Sequence, residues 1–307
     1  MVASVQTKLS FRLFLSMMLV GSCHAIQTQS DAWEPLRELL AGWEFTTEYA
    51  VSVGNKDGPL FVYESGNFTM HTQIMTGSTS KWPSAMMFAG LVSDGTISSL
   101  EEPISTYVPW WTKDPSDMRS LVTLRMLLSF TSGFGDGNPG QEGNTRAARA
   151  WRAANNASVA SSLYATLAKI DTMAVDPCNI TTGENVACAK SIYDTVKLVG
   201  KPGATYSYNS NHLQIAAAVA MLASGLPIHQ LVQKYLLDPY NMTESFYDGQ
   251  CPDFGFSLMT TGSDYQKFLQ GVLGYSYLKK EVIDASEEDN TPFLSQEYTL
   301  YGGIYDS

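Results

Sequence analysis

Positive charge is scarce in this 307-residue chain. Its 19 lysines and arginines stand against 30 aspartates and glutamates, a formal net charge of −11, and the pI is near 4.8. Nucleic-acid-binding proteins carry a basic stripe or face, so nucleic acid is excluded as a partner. Long apolar runs are missing as well. The run Leu13 to Val20 falls short of the ~20 residues that span a bilayer, and no second candidate span follows. No internal repeat or low-complexity tract is present, which excludes a repeat architecture. Cysteine is sparse, with four in the chain. One formal Gly-x-Gly-x-x-Gly occurs, Gly135-Asp136-Gly137-Asn138-Pro139-Gly140. It follows a helical pattern and holds a proline where a helix should open, so it reads as a surface loop and not as a dinucleotide site. No cofactor and no metal is expected.

What remains is ordinary globular composition, 44% hydrophobic and 16% charged, with material for a large core. Residues 1–25 read as a secretory signal peptide. Lys8 and Arg12 form the positive region, Leu13 to Val20 the short apolar core, and Cys23-His24-Ala25 the cleavage site. The expected location is extracellular, with no membrane span after cleavage. Asn-x-Ser/Thr sequons at Asn67, Asn156, Asn179 and Asn241 fit a glycosylated, secreted chain. Cys23 leaves with the signal. Cys178 and Cys188 bracket a polar loop and are expected to pair in an oxidising compartment, which leaves Cys251 as a buried thiol or in need of a partner elsewhere.

Asp31 to Trp43 reads as an amphipathic helix capped by Asp31, with Trp33, Leu36, Leu39, Leu40 and Trp43 on one side. Thr46 to Val53 and Leu60 to Glu64, joined by Asn55-Lys56-Asp57-Gly58, form a hairpin. Phe68 to Met75 runs extended. Helical patterns then cover Met86 to Val92, Leu121 to Phe130, Ala147 to Ile170, Asn211 to Ser224, Pro227 to Leu237 and Ser263 to Leu273, with a short mixed piece at Ile192 to Leu198 and a closing strand at Tyr298 to Tyr305. The expected fold is α+β, an antiparallel sheet drawn from both chain ends and flanked by helices, with a mostly helical subdomain inserted. The expected domain is 26–307, its α/β part about 26–99 and 250–307 and its helical part about 100–249.

The chemistry centres on Gly77-Ser78-Thr79-Ser80-Lys81-Trp82. With a helix beginning at Ser78, Lys81 lies one turn on and on the same face. A serine hydroxyl needs a neighbouring base to become a nucleophile, and a desolvated lysine can supply one. The unpaired N–H groups of a helix start can also face an oxyanion. The second Ser-x-x-Lys, Ser276 to Lys279, lies in a Tyr/Gly-rich turn before an acidic segment and is set aside. In Pro202-Gly203-Ala204-Thr205-Tyr206-Ser207-Tyr208-Asn209-Ser210, Tyr208 supplies a phenol able to relay a proton.

Together these pieces resemble the serine β-lactamase and penicillin-binding protein family, most closely its class C-like and esterase branch. Supporting the resemblance are Leu127-Leu128-Ser129-Phe130-Thr131-Ser132-Gly133, which resembles that branch's Leu-Leu-x-x-Thr-Ser-Gly, and the late run Leu258-Met259-Thr260-Thr261, Asp264-Tyr265 and Phe268-Leu269. The resemblance implies Ser78 as acylated nucleophile, Lys81 as base and Tyr208 as proton relay. Ser210 stands in the substrate-contacting place usually held by asparagine, with a shorter side chain and a single donor. It implies a serine hydrolase acting on a small-molecule or peptide-like acyl substrate, an ester, amide or β-lactam. The alternatives are a D-alanyl-D-alanine-type peptidase and a catalytically silent binding or scaffold protein on the same fold. The family's third motif, Lys/His-x-Gly, has no counterpart after Leu258, so the sequence is expected to stop before it and to lack the second oxyanion donor. Pro83 is expected to distort the first turns of the Ser78 helix while leaving Lys81 in reach.

Overall fold

The computed structural model describes residues 32–44, 46–135 and 176–291. The signal segment, Asp31, Asn156, most of the glycine-rich loop, the helix at 147–170 and the strand at 298–305 lie outside the described residues. The chain divides into two compact units between Thr72 and Gln73.

The first unit is a helix and a hairpin. Helix α1 (Glu34–Ala41) starts after Trp33, with proline at an opening position where no N–H is needed. The stripe expected along it is narrower than its sequence promised, because only Leu40 is buried and Leu39 is 61% exposed. Trp33 stacks on Phe61, and the Arg37 guanidinium lies over the same ring. Strands β1 (Tyr49–Asn55) and β2 (Gly58–Ser65) pair antiparallel. Asn55 Oδ1 accepts from Asp57 N at 2.8 Å and closes the turn.

The second unit packs helices around one small sheet. Strands β3 (Ile74–Met75), β4 (Phe246–Tyr247) and β5 (Leu258–Thr260) form it, all antiparallel, with β5 central. Material from early and late in the chain thus shares one sheet, and the α+β class holds. After β3 a 3₁₀ turn (Gly77–Ser80) leads into helix α2 (Lys81–Ser93). The α-helix therefore starts three residues later than the expected Ser78. Pro83 then sits in its first turn, where an N–H has no intrahelical acceptor, so the ring costs no hydrogen bond. Gly95, with φ +82°, follows the helix end as read from the sequence.

The helix expected over Leu121 to Phe130 is shorter. Its α-helical part, α3, is Leu124–Leu128, capped by the Thr123 hydroxyl, and a separate 3₁₀ turn spans Met118–Leu121. The mixed piece at Ile192 is the end of a longer helix, α4 (Asn185–Thr195), whose start Glu184 caps by accepting from Val186 N and Ala187 N. Helix α5 (Asn211–Ser224) has the bounds its pattern predicts and buries every residue from His212 to Ala220. Its alanines let α2, α3 and α4 approach closely. Among the described residues no single helix is long and apolar enough to cross a membrane; the apolarity of α5 serves burial. Helix α6 (Ile228–Val232) runs on as a π turn to Leu237, and α7 (Gly262–Leu273) and α8 (Lys280–Ser286) follow the sheet. Helix α8 lies in a segment whose sequence pattern reads only as an acidic stretch. Cys178 and Cys188 form a disulfide, and Cys251 is a buried free thiol.

Candidate active site

The 3₁₀ turn explains the Ser-x-x-Lys spacing better than an α-helix does. With three residues per turn, side chains at i and i+3 eclipse. Lys81 Nζ lies 3.2 Å from Ser78 Oγ and 2.6 Å from the carbonyl oxygen of Gly255. Ser78 is exposed and Lys81 half-buried. Gly77, with φ +56°, lets the chain leave β3 and enter the turn, and a methyl group added there would lie 3.5 Å from the Phe256 ring.

The turn is held from beneath. Thr76 N donates to Leu258 O at 2.9 Å, and Leu258 N donates to the buried Ser80 hydroxyl at 3.2 Å. Tyr247 Oη donates to Ser80 O, and Tyr265 Oη donates to Thr79 O, both at 3.2 Å. Burial raises the pKa of both phenols, that of Tyr265 to about 12, so both stay protonated donors. Ser84 Oγ lies 2.9 Å from Ser80 O and 2.7 Å from Phe254 O, tying α2 to the segment that carries Gly255.

That segment contributes site residues which the sequence did not reveal. Gly255 N donates to Asp253 Oδ1 at 2.7 Å, while Phe256 N and Ser257 N both donate to Asp253 O. A methyl group at Gly255 would come within 2.6 Å of Ser210 Oγ and 3.2 Å of Lys81 Nζ. Gly255 therefore has to be glycine for Lys81, Ser210 and the loop to pack as they do. Its only trace in the sequence is a glycine between two phenylalanines.

Tyr208 is brought to the same place, in a different manner from a simple phenol–amine hydrogen bond. Lys81 Nζ lies 4.7 Å from the centroid of the Tyr208 ring, a cation–π contact on its face. Among the described residues Tyr208 Oη makes no hydrogen bond to Ser78 or Lys81. Ser210 opens α5, and its hydroxyl comes close to Gly255 without a hydrogen bond to Lys81. The set Ser78, Lys81, Tyr208 and Ser210 thus converges on one spot from β3–α2 and from the approach to α5.

The Tyr208 segment is locked against the end of α3. Phe130 has φ +58°, a left-handed conformation costing a non-glycine residue of order 1–2 kcal/mol. Its carbonyl accepts from Ser207 N at 3.0 Å, and Thr131 O accepts from Gly203 N at 2.8 Å. Its ring centroid lies 5.4 Å from those of Tyr208 and His212. His212 is fully buried, and its pKa is pushed down to about 4 by desolvation.

An α+β fold with a Ser-x-x-Lys pair at the head of a buried helix defines a β-lactamase-type protein. The profile of the family described as Beta-lactamase matches residues 50–273, well over half of the chain. The chain belongs to the β-lactamase family, whose members are typically serine hydrolases. Among solved structures it is similar to a protein of Bacteroides dorei DSM 17855 assigned to the β-lactamases, at 24% identity and a TM-score of 0.62, covering 86% of this chain and 71% of that one. It is also similar to the octameric penicillin-binding protein homologue of Pyrococcus abyssi, at 18% identity and a TM-score of 0.56, covering 80% of this chain and 57% of that one. A third is a protein of Bacillus anthracis assigned as a 6-aminohexanoate-dimer hydrolase, at 16% identity and a TM-score of 0.53, covering 80% and 59%. At these identities the likeness is one of fold. The chain spans between 57% and 71% of the length of these three proteins. No curated protein matches it.

Proposed function

We propose that the protein is a secreted serine hydrolase working through an acyl-enzyme on Ser78. The observation that carries this reading is the position of Lys81 Nζ, 3.2 Å from Ser78 Oγ and 2.6 Å from Gly255 O. A carbonyl oxygen only accepts, so Nζ spends one hydrogen on Gly255 O. The two contacts place Nζ beside the serine hydroxyl, where a base has to stand to take its proton.

In the reaction, the Ser78 proton passes to Lys81 Nζ as Oγ bonds to the acyl carbon. The oxyanion that forms faces the Ser78 N–H, which has no acceptor among the described residues. Collapse breaks the bond to the leaving group, which takes its proton from Lys81; Tyr208, whose ring face meets Nζ, relays it once bound substrate brings Oη into reach of both. Water then hydrolyses the ester on Ser78. Ser210, at the rim of the same spot, contacts the substrate. The substrate is a small-molecule or peptide-like acyl compound. Secretion is supported by the signal-like N-terminus, the disulfide and the exposure of Asn67, Asn179 and Asn241 in their sequons.

The test is a fluorophosphonate probe, which phosphonylates an activated serine, followed by peptide mapping. Label on Ser78 that Ser78→Ala abolishes supports the enzyme. Folded protein that takes no label is instead a silent binding protein on this fold. Turnover of an activated ester, a D-alanyl-D-alanine peptide and a β-lactam then separates the substrate classes.

A further inference from the structure

His212 has no part in the steps above, yet it sits at the root of the segment that carries Tyr208. It is the second residue of α5, fully buried, with Phe130 against it edge to face at 90°. One ring nitrogen, Nε2, lies 2.7 Å from the carbonyl oxygen of Ser207, the residue before Tyr208. The other, Nδ1, lies 2.8 Å from the hydroxyl of Ser132, itself fully buried.

These partners choose the tautomer. A carbonyl oxygen cannot donate, so the hydrogen is on Nε2, and Nδ1 is left to accept from the Ser132 hydroxyl. Asn209 Nδ2, 3.2 Å from Nε2, then faces another donor. Its hydrogens go instead to the carbonyls of Phe134 and Ser207, each at 3.1 Å. Ser207 is gripped on both sides, since its N–H donates to Phe130 O and its carbonyl accepts from His212. Phe130 meanwhile packs on the rings of both Tyr208 and His212.

We propose that His212 is a positioning residue for Tyr208: its Nε2–H holds the Ser207 carbonyl and its Nδ1 is anchored by Ser132, so that the Tyr208 ring stays under Lys81. The inference rests on the reading of Tyr208 as proton relay. A ring with a donor on one side and an acceptor on the other matches a carbonyl and a hydroxyl at once, which an apolar side chain of the same size cannot do. The anchor works through backbone geometry. Its loss therefore lowers turnover and leaves substrate binding in place.

The experiment compares Tyr208→Phe, His212→Leu, His212→Gln, Ser132→Ala and the double variant His212→Leu/Tyr208→Phe. All are measured on an activated ester at a temperature where circular dichroism shows them folded. Tyr208→Phe is expected to lower kcat about 100-fold. His212→Leu is expected to lower kcat roughly 30-fold with KM within about 3-fold, as slight misplacement of a reacting group does. His212→Gln, whose amide reaches the Ser207 carbonyl, should recover to within about 5-fold of the parent. The double variant should be no slower than Tyr208→Phe alone, because both act through one group.

Losses that multiply in the double variant, a His212→Leu enzyme with parental kcat, or a loss confined to KM overturns the proposal while the relay reading stands. Parental kcat in Tyr208→Phe removes the relay reading and the proposal with it. Should His212→Leu fail to fold, Ser132→Ala carries the test. It is expected to lower kcat several-fold, again without adding to Tyr208→Phe, and an unchanged kcat in it overturns the proposal.

Discussion

Lys81 Nζ reaches Ser78 Oγ at 3.2 Å because a 3₁₀ turn, not an α-helix, joins them. Three residues complete that turn, so the two side chains stand over each other. The Gly255 carbonyl then fixes the amine from the far side of the sequence.

The first prediction concerns the charge on that amine. Lys81→Ala should slow labelling of Ser78 by about 100- to 10,000-fold, the range for loss of a general base. Lys81→Arg puts a guanidinium in that place, which stays protonated and cannot offer a lone pair. It should be as slow as Lys81→Ala. Rapid labelling of Lys81→Arg would mean that the residue acts through its charge alone.

A second prediction follows from the space at Gly255. A methyl group there meets Ser210 Oγ at 2.6 Å and Lys81 Nζ at 3.2 Å. Gly255→Ala should reduce kcat about 100-fold through displacement of the reacting groups. The melting temperature should fall by no more than a few degrees, because the φ at Gly255 is not of the left-handed kind that excludes other residues. Ester kinetics beside a thermal melt check both halves. Parental kcat would show that Lys81 and Ser210 yield without cost.

Acid should weaken the fold through His212. Its folded pKa lies near 4, below the ordinary histidine value of 6.5. As pH falls through 6.5 the unfolded chain takes up a proton that the folded chain refuses until about pH 4. Stability is therefore full above pH 6.5 and declines between 6.5 and 4, by about 3 kcal/mol for this group. Urea unfolding at a series of pH values measures the slope. His212→Gln, which cannot titrate, should flatten it by that amount. An unchanged slope would place the acid sensitivity elsewhere.

The disulfide supplies a fourth test. Cys178 and Cys188 close a loop of ten residues' separation, and such a loop contributes about 3 kcal/mol by the chain-entropy argument. Double substitution to serine should lower the urea midpoint accordingly. Burial, the largest of the causes, pushes the Cys251 thiol up to about 11. It should resist iodoacetamide in the native protein and react once unfolded. Rapid native alkylation would mean that the Cys251 pocket opens in solution.

Distance along the chain separates what is legible in the sequence from what is not. Ser78 and Lys81 are three residues apart, a separation any helical turn closes, and the apolar helical run that follows sets this pair apart from Ser276 and Lys279 at the same spacing. Local pattern also reveals α5, whose apolar run from Ile215 reads as a buried helix, and the pairing of Cys178 with Cys188 ten residues on, although Cys188 lies within α4 and not in a loop. Tyr208 and Ser210 emerge from the resemblance of a whole motif. The start of α2 is not legible, because a 3₁₀ turn and an α-helix share the same local pattern. Helix α8 is hidden because its charged surface covers only one buried residue, Ile283.

By itself, the sequence determined that the chain is an α+β β-lactamase-family protein with a serine–lysine pair at a helix head. Local spacing and turn chemistry are enough for that. Only the tertiary structure decided that Gly255, 174 residues from Lys81, would supply the carbonyl that holds the amine. It also decided that Ser132 and His212, 80 residues apart, would lock the tyrosine segment. A backbone carbonyl carries no mark in sequence, and a buried histidine reads like any other core residue. Their roles arise from packing that closes long loops, and packing of that kind has no local signature.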